Sequence, residues 1–104
     1  MARFDVYPNP DLDARSYVPF FLDVQNDHIR GLETRVVVPL WQTGLCPKKF
    51  ENLNPEFEVA GQTVVMDTPA IGAVPIDALR SSVQNLANHQ LAIQDALDTL
   101  FGSY

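Results

Sequence analysis

Cysteine, histidine and positive charge are scarce in this chain, and each scarcity excludes a class of function. Among 104 residues there is one cysteine, Cys46. No intramolecular disulfide can form, which suits a reducing cytoplasm. Lys48 and Lys49 follow Cys46 closely, but no histidine stands near it in sequence, so the thiol reads as structural rather than nucleophilic. The two histidines, His28 and His89, fit no metal-ligand spacing. No glycine-rich phosphate loop occurs, and no pair of acidic residues is fixed by spacing. No catalytic constellation and no cofactor are therefore expected. Seven Lys and Arg stand against thirteen Asp and Glu, a formal net charge of -6. That balance argues against direct nucleic-acid binding, which needs a basic surface to displace counterions. No apolar run approaches the length of a membrane-spanning helix, and the first residues carry no apolar signal segment. A cytoplasmic protein with no membrane contact is expected.

What is present is strand signal. Hydrophobic residues make up 46% and charged residues 19%, a globular balance that fits one domain spanning residues 1–104. The stretch from Tyr17 to Leu40 organises the rest. Tyr17-Val18-Pro19-Phe20-Phe21-Leu22-Asp23-Val24-Gln25 and Leu32-Glu33-Thr34-Arg35-Val36-Val37-Val38-Pro39-Leu40 flank a polar segment with one glycine, Gly31. Aromatic and β-branched enrichment on both sides of such a segment predicts a hairpin with a longer loop. Phe20, Leu22 and Val24 share one face, while Phe21, Asp23 and Gln25 share the other. Val36, Val37 and Val38 do not alternate with polar residues, so the second strand is expected to be covered on both sides.

Around this pair, Arg3-Phe4-Asp5-Val6-Tyr7 alternates like a short half-buried strand, broken by Pro8-Asn9-Pro10-Asp11. Trp41 reads as core, with a partner anchor as the alternative. Phe57-Glu58-Val59 and Thr63-Val64-Val65-Met66 form a second hairpin signal bent at Ala60-Gly61-Gln62. Ala70 to Pro75 reads as a last short strand in which Gly72 suggests close packing or a bulge. Ile76 to Ser82 can form a helical turn. Asn85 or Asn88 can then cap a longer helix whose stripe is Leu86, Ile93, Leu97, Leu100 and Tyr104, with Ala96 and Phe101 beside it. His89 falls near this stripe. Gln94, Asp95, Asp98 and Thr99 are expected to face away, and Leu91 is an apolar residue on that polar side.

Leu22-Asp23-Val24-Gln25-Asn26-Asp27, followed by Arg35-Val36-Val37-Val38-Pro39-Leu40, resembles the CcdB family of toxins. Arg3 to Tyr7, Met66-Asp67-Thr68, Ala73-Val74-Pro75, Ala96-Leu97-Asp98 and Leu100-Phe101-Gly102 extend the likeness over nearly the whole chain. The resemblance implies an α+β fold, a small SH3-like barrel of about five mainly antiparallel strands with a C-terminal helix, as in CcdB and MazF. It implies a homodimer of a type II toxin–antitoxin module that binds the GyrA subunit of DNA gyrase and traps the cleaved DNA complex. It also implies a CcdA-type antitoxin that wraps the toxin, and a role in plasmid maintenance.

The same resemblance implies gyrase contacts at Asp98 and the tail Phe101-Gly102-Ser103-Tyr104, with Leu91 beside them and Asn26 and His28 in the hairpin loop. It places antitoxin contacts on Pro8, Asn9, Pro10 and Asp11 and on Trp41, Lys48 and Lys49. The best-known members end in Trp-Gly-Ile, and this chain has no tryptophan at its end. A homologue that keeps antitoxin binding with weak or no gyrase poisoning is therefore an alternative. A MazF- or Kid-like ribonuclease is a further one, opposed by the acidic charge and the lack of clustered Arg and His.

Overall fold

The computed structural model of the protein describes residues 1–47 and 49–102. Seven strands occur among these residues: β1 (Asp5–Pro8), β2 (Phe20–Asp23), β3 (Thr34–Gln42), β4 (Glu56–Val59), β5 (Gln62–Met66), β6 (Gly72–Pro75) and β7 (Gln84–Asn85). One α-helix follows, α1 (Gln90–Phe101). All strand pairs are antiparallel, in the order β4-β5-β3-β2-β1-β7, with β6 pairing β3. Six of these strands carry a signal in the sequence, where the family resemblance implies about five; the seventh, β7, is a two-residue polar strand with no hydrophobic pattern to reveal it.

The predicted central hairpin is the organising pair. β2 and β3 meet in the register Leu22↔Val38 and Asp23↔Val37. β3 is nine residues long and serves two neighbours on its other side, β6 along Thr34 to Val37 and β5 along Leu40 to Gln42. Its valines are covered on both faces, as an unbroken apolar run predicts. Val38 lies in the main core with Val6, Leu22, Leu40 and Met66, and Val37 in a second cluster with Tyr7 and Leu79. In the second hairpin, Val59 pairs Gln62, so the turn is only Ala60-Gly61. Both turn residues have positive φ, 50° and 81°, the twist that a two-residue hairpin loop requires.

Gly72 is in plain register opposite Val37, and a Cβ there would meet only the Ala70 carbonyl at 4.0 Å. The expected close packing or bulge is absent at this position. Ile76–Ala78 forms the expected helical turn, in 3-10 form. Neither Asn85 nor Asn88 caps α1: the position before the helix is His89, with no side-chain cap bond, and Asn85 instead accepts from the Ala87 amide in the turn ahead of the 3-10 segment Ala87–His89.

The helix lays Ile93, Ala96 and Leu97 into the main core. Burial of the larger two, Ile93 and Leu97, contributes about 1.5–3 kcal/mol each. The helix ends at Gly102, whose left-handed φ of 77° lets its amide bond the Asp98 carbonyl.

The sheet nearly closes on itself. Gln84 on edge strand β7 donates from Nε2 to the Glu58 carbonyl at 2.9 Å and accepts from the Ala60 amide at 3.2 Å. A side-chain amide therefore bridges the last strand to the first in sheet order, where a backbone ladder would complete a barrel.

Candidate functional site

Two surfaces gather the residues singled out in the sequence. The first joins the loop after β2 to the outer side of α1. The loop is braced locally: the Asp23 carboxylate accepts from the Gln25 amide, the Gln25 side chain accepts from the Val36 amide, and the Asn26 side chain accepts from the His28 amide. Asn26 and His28 are both exposed.

Arg3 connects this loop to the helix. Its backbone amide donates to Asp27 Oδ1 at 2.8 Å, and its Nη2 donates to Gln94 Oε1 at 3.1 Å. Gln94 in turn donates to Asp98 Oδ1 at 3.0 Å. Gln94 and Asp98 do not face away from the body as their helical spacing predicts. Both are half-buried: Arg3 supplies Gln94 with a polar partner at the helix edge, and Gln94 in turn holds Asp98. Leu91 is 82% exposed and Phe101 67% exposed, large apolar side chains on a helix that otherwise buries its stripe. Phe101 thus stands outside the stripe that its spacing suggests. Ser103 and Tyr104, expected at this surface, lie outside the described residues.

The second surface is a shallow groove of about 260 Å³ lined by Asn9, Asp11, Val18, Phe21, Trp41 and Asp67, among others. Trp41 is half-buried here rather than core. Its ring sits 5.7 Å from that of Tyr17, and its Nε1 donates to Asp67 Oδ2 at 2.9 Å. Asn9 shapes the wall: it is buried, donates to the Val18 carbonyl at 2.8 Å and accepts from the Asp11 amide at 2.9 Å. Its amide is consumed in holding the loop, so its role is to position Pro10 and Asp11, both exposed. Pro8 ends β1 half-buried.

Lys49, grouped with Trp41 in the sequence, lines a different cleft of about 580 Å³, between the 49–55 segment and α1. It pairs there with Glu56 at 2.6 Å. Lys48 lies outside the described residues. His89 is exposed rather than in the buried stripe, although its ring still packs 5.0 Å from Phe57.

The electrostatic centre of the molecule is a feature that sequence reasoning missed. Arg35 grips Asp23 with two hydrogen bonds of 2.8 and 2.9 Å and reaches Asp27 at 3.5 Å. Burial pushes the Asp23 carboxyl up, against the downward pull of the Arg35 fork and the Gln25 amide. The same pairing raises Arg35, which stays charged. Burial, with help from Asp5 and Asp23, pushes the Tyr7 hydroxyl up to about 12. The signal for the ion pair lies in the hairpin register. Asp23 faces Val37, and Arg35 lies two residues along the same face, a diagonal neighbour that a long side chain can reach.

Among the described residues no group of three or more His, Cys, Asp or Glu is placed to hold a metal, and no helix is long and apolar enough to cross a membrane. The fold is a small antiparallel near-barrel with a helix packed on it. Comparison with known families is specific: the model of the CcdB protein family matches residues 3–102. The chain belongs to the CcdB family, and so to the toxins of toxin–antitoxin systems. No curated protein matches it.

Proposed function

We propose that this protein is a cytoplasmic, homodimeric toxin that binds the GyrA subunit of DNA gyrase, poisons the gyrase–DNA complex, and is neutralised by a CcdA-type antitoxin in a plasmid-maintenance module. The observation that carries this reading is the family match over residues 3–102. A poison of this kind needs no chemistry of its own. It needs anchors that hold one state of its target. Leu91 and Phe101 supply exposed apolar area, and Asp98, Asn26 and His28 supply polar contacts on the surface that Arg3 ties together. Gly102 ends the helix, and Ser103 and Tyr104 follow it in sequence as the tail that meets the target.

The antitoxin takes the Trp41 groove. An aromatic ring in a shallow apolar groove walled on one side by Asn9 and Asp11 suits an extended segment with hydrophobic side chains. Lys49 adds an electrostatic contact for an acidic segment. That segment must first displace Glu56, an exposed pair worth about 0–1 kcal/mol.

The test is expression in cells with and without the antitoxin, scored for growth and DNA damage. Growth arrest with DNA breaks, relieved by the antitoxin, is expected. One observation favours a second reading, a homologue that binds antitoxin without poisoning gyrase: the tail Phe101-Gly102-Ser103-Tyr104 lacks the tryptophan of the best-known members. Antitoxin binding without growth arrest would favour it. RNA cleavage by the purified protein would instead favour a ribonuclease.

A further inference from the structure

We propose that Arg3 is a positioning residue that locks the 26–31 loop and helix α1 into one contact surface, so that the gyrase-facing groups on each meet their target together. This inference rests on the gyrase reading above.

Three observations converge on it. First, Arg3 is the only residue among the described hydrogen bonds that joins the loop and the helix directly. Its main chain holds Asp27 and its side chain holds Gln94. The path then runs from Gln94 to Asp98, and on the other side from Asp27 through Arg35 to the buried Asp23. A surface loop is thereby coupled to both the sheet interior and the helix.

Second, the backbone is strained at the next residue. Phe4 has a φ of 74°, a left-handed conformation unusual for a bulky side chain. It is held there by bonds from its amide to the Asp23 carbonyl at 2.7 Å and from the Leu86 amide to its own carbonyl at 2.9 Å. Strain of this kind persists where the surroundings over-determine it, and it clusters at functional sites. Its effect here is to turn the chain so that Arg3 sits between loop and helix. The guanidinium also lies 4.9 Å over the Phe4 ring.

Third, the arrangement is not optimised for stability alone. Arg3 Nε is buried with no hydrogen-bond partner among the described residues. A buried donor left unsatisfied is a cost that a neutral side chain of similar length would avoid.

The experiment compares Arg3→Met, Gln94→Met and the double variant with the unaltered protein. Both single changes cut the same bond. The readouts are affinity for a GyrA fragment, affinity for an antitoxin peptide, thermal midpoint, and amide hydrogen exchange by NMR. Each single variant is expected to weaken gyrase binding about five- to tenfold, the scale of one lost charge-assisted hydrogen bond. The double variant should be no weaker than the weaker single one, and antitoxin affinity should be unchanged. Exchange at the His28 and Ile29 amides should quicken while the β2–β3 core amides hold their protection. Arg3→Lys, which keeps the charge and loses the planar fork, should recover part of the binding. Additive losses in the double variant, or weaker binding with loop exchange unchanged, would show that Arg3 acts by direct contact and would overturn the proposal. If the unaltered protein does not bind gyrase, the functional reading fails. The exchange data then still decide the coupling: unchanged exchange overturns it, and quickened exchange upholds the loop–helix lock by itself.

Discussion

Asp23 and Arg35 meet as a two-pronged ion pair inside the central hairpin, with Asp23 fully buried and Arg35 nearly so. They lie beside the second apolar cluster, whose Val37 is Asp23's partner across the ladder. Breaking such a pair from one side leaves a buried charge without compensation. Arg35→Met should therefore destabilise the fold by about 3–5 kcal/mol. The double change Asp23→Leu with Arg35→Met should recover much of that loss, because apolar replacement of both partners removes the stranded charge. Urea denaturation of the unaltered protein and both variants checks this. A loss below about 1 kcal/mol for the single variant would contradict it.

The hairpin that holds this pair is legible in the sequence because Val36 to Val38 and Phe20 to Leu22 are strongly apolar and mostly β-branched or aromatic. The stripe of Ile93 and Leu97 and the stop at Gly102 are legible because helix burial and left-handed C-caps leave a periodic mark. Strand β7 is not, since two polar residues carry no period. Nor is the bond between Arg3 and Gln94, residues that only the folded sheet brings together. Gln94 reads as outward-facing for the same reason: helical periodicity cannot register a polar partner from the far end of the chain, and Asp98 is held in turn by Gln94.

The near-closure of the barrel depends on Gln84. Gln84→Ala removes both bonds to the 58–60 turn and should cost about 1–2 kcal/mol. Exchange at the Ala60 amide should rise more than at other turn amides. If stability and Ala60 exchange are unchanged, the bridge does not hold the two edges together.

Alkaline pH gives an independent check on the core. The Tyr7 hydroxyl is raised in the folded state from 10.0 to about 12, chiefly by burial. The folded state thus keeps a proton that the unfolded state releases. By linkage, this contribution to stability is fully present below pH 10 and is lost as pH rises toward 12. Tyr7→Phe should flatten the decline between these values. An identical alkaline profile for Tyr7→Phe would rule out Tyr7 as its source.

Trp41 reports on the second surface directly, since the chain has one tryptophan. Antitoxin binding in its groove should shift tryptophan emission to shorter wavelength as water is excluded. Trp41→Ala should weaken the complex at least tenfold, about 1.4 kcal/mol or more. Reversing the charge of Lys49 should lower the salt dependence and leave most of the affinity. An unshifted spectrum at saturating antitoxin would place its site elsewhere.

Dimerisation follows from the same reading. Light scattering at micromolar concentration should give twice the chain mass of 11.6 kDa. A stable monomer there would remove the symmetric presentation of two tails to one target.

The central claim is that this protein holds DNA gyrase through the outer side of α1 and its tail. Calorimetric titration of a GyrA fragment, with the full chain and with a chain lacking Ser103 and Tyr104, tests it most directly. The account predicts saturable binding by the full chain and about thirtyfold weaker binding by the shortened one, with thermal stability and antitoxin affinity nearly unchanged. No binding by the full chain, or equal binding by both together with a loss of stability in the shortened one, would contradict it.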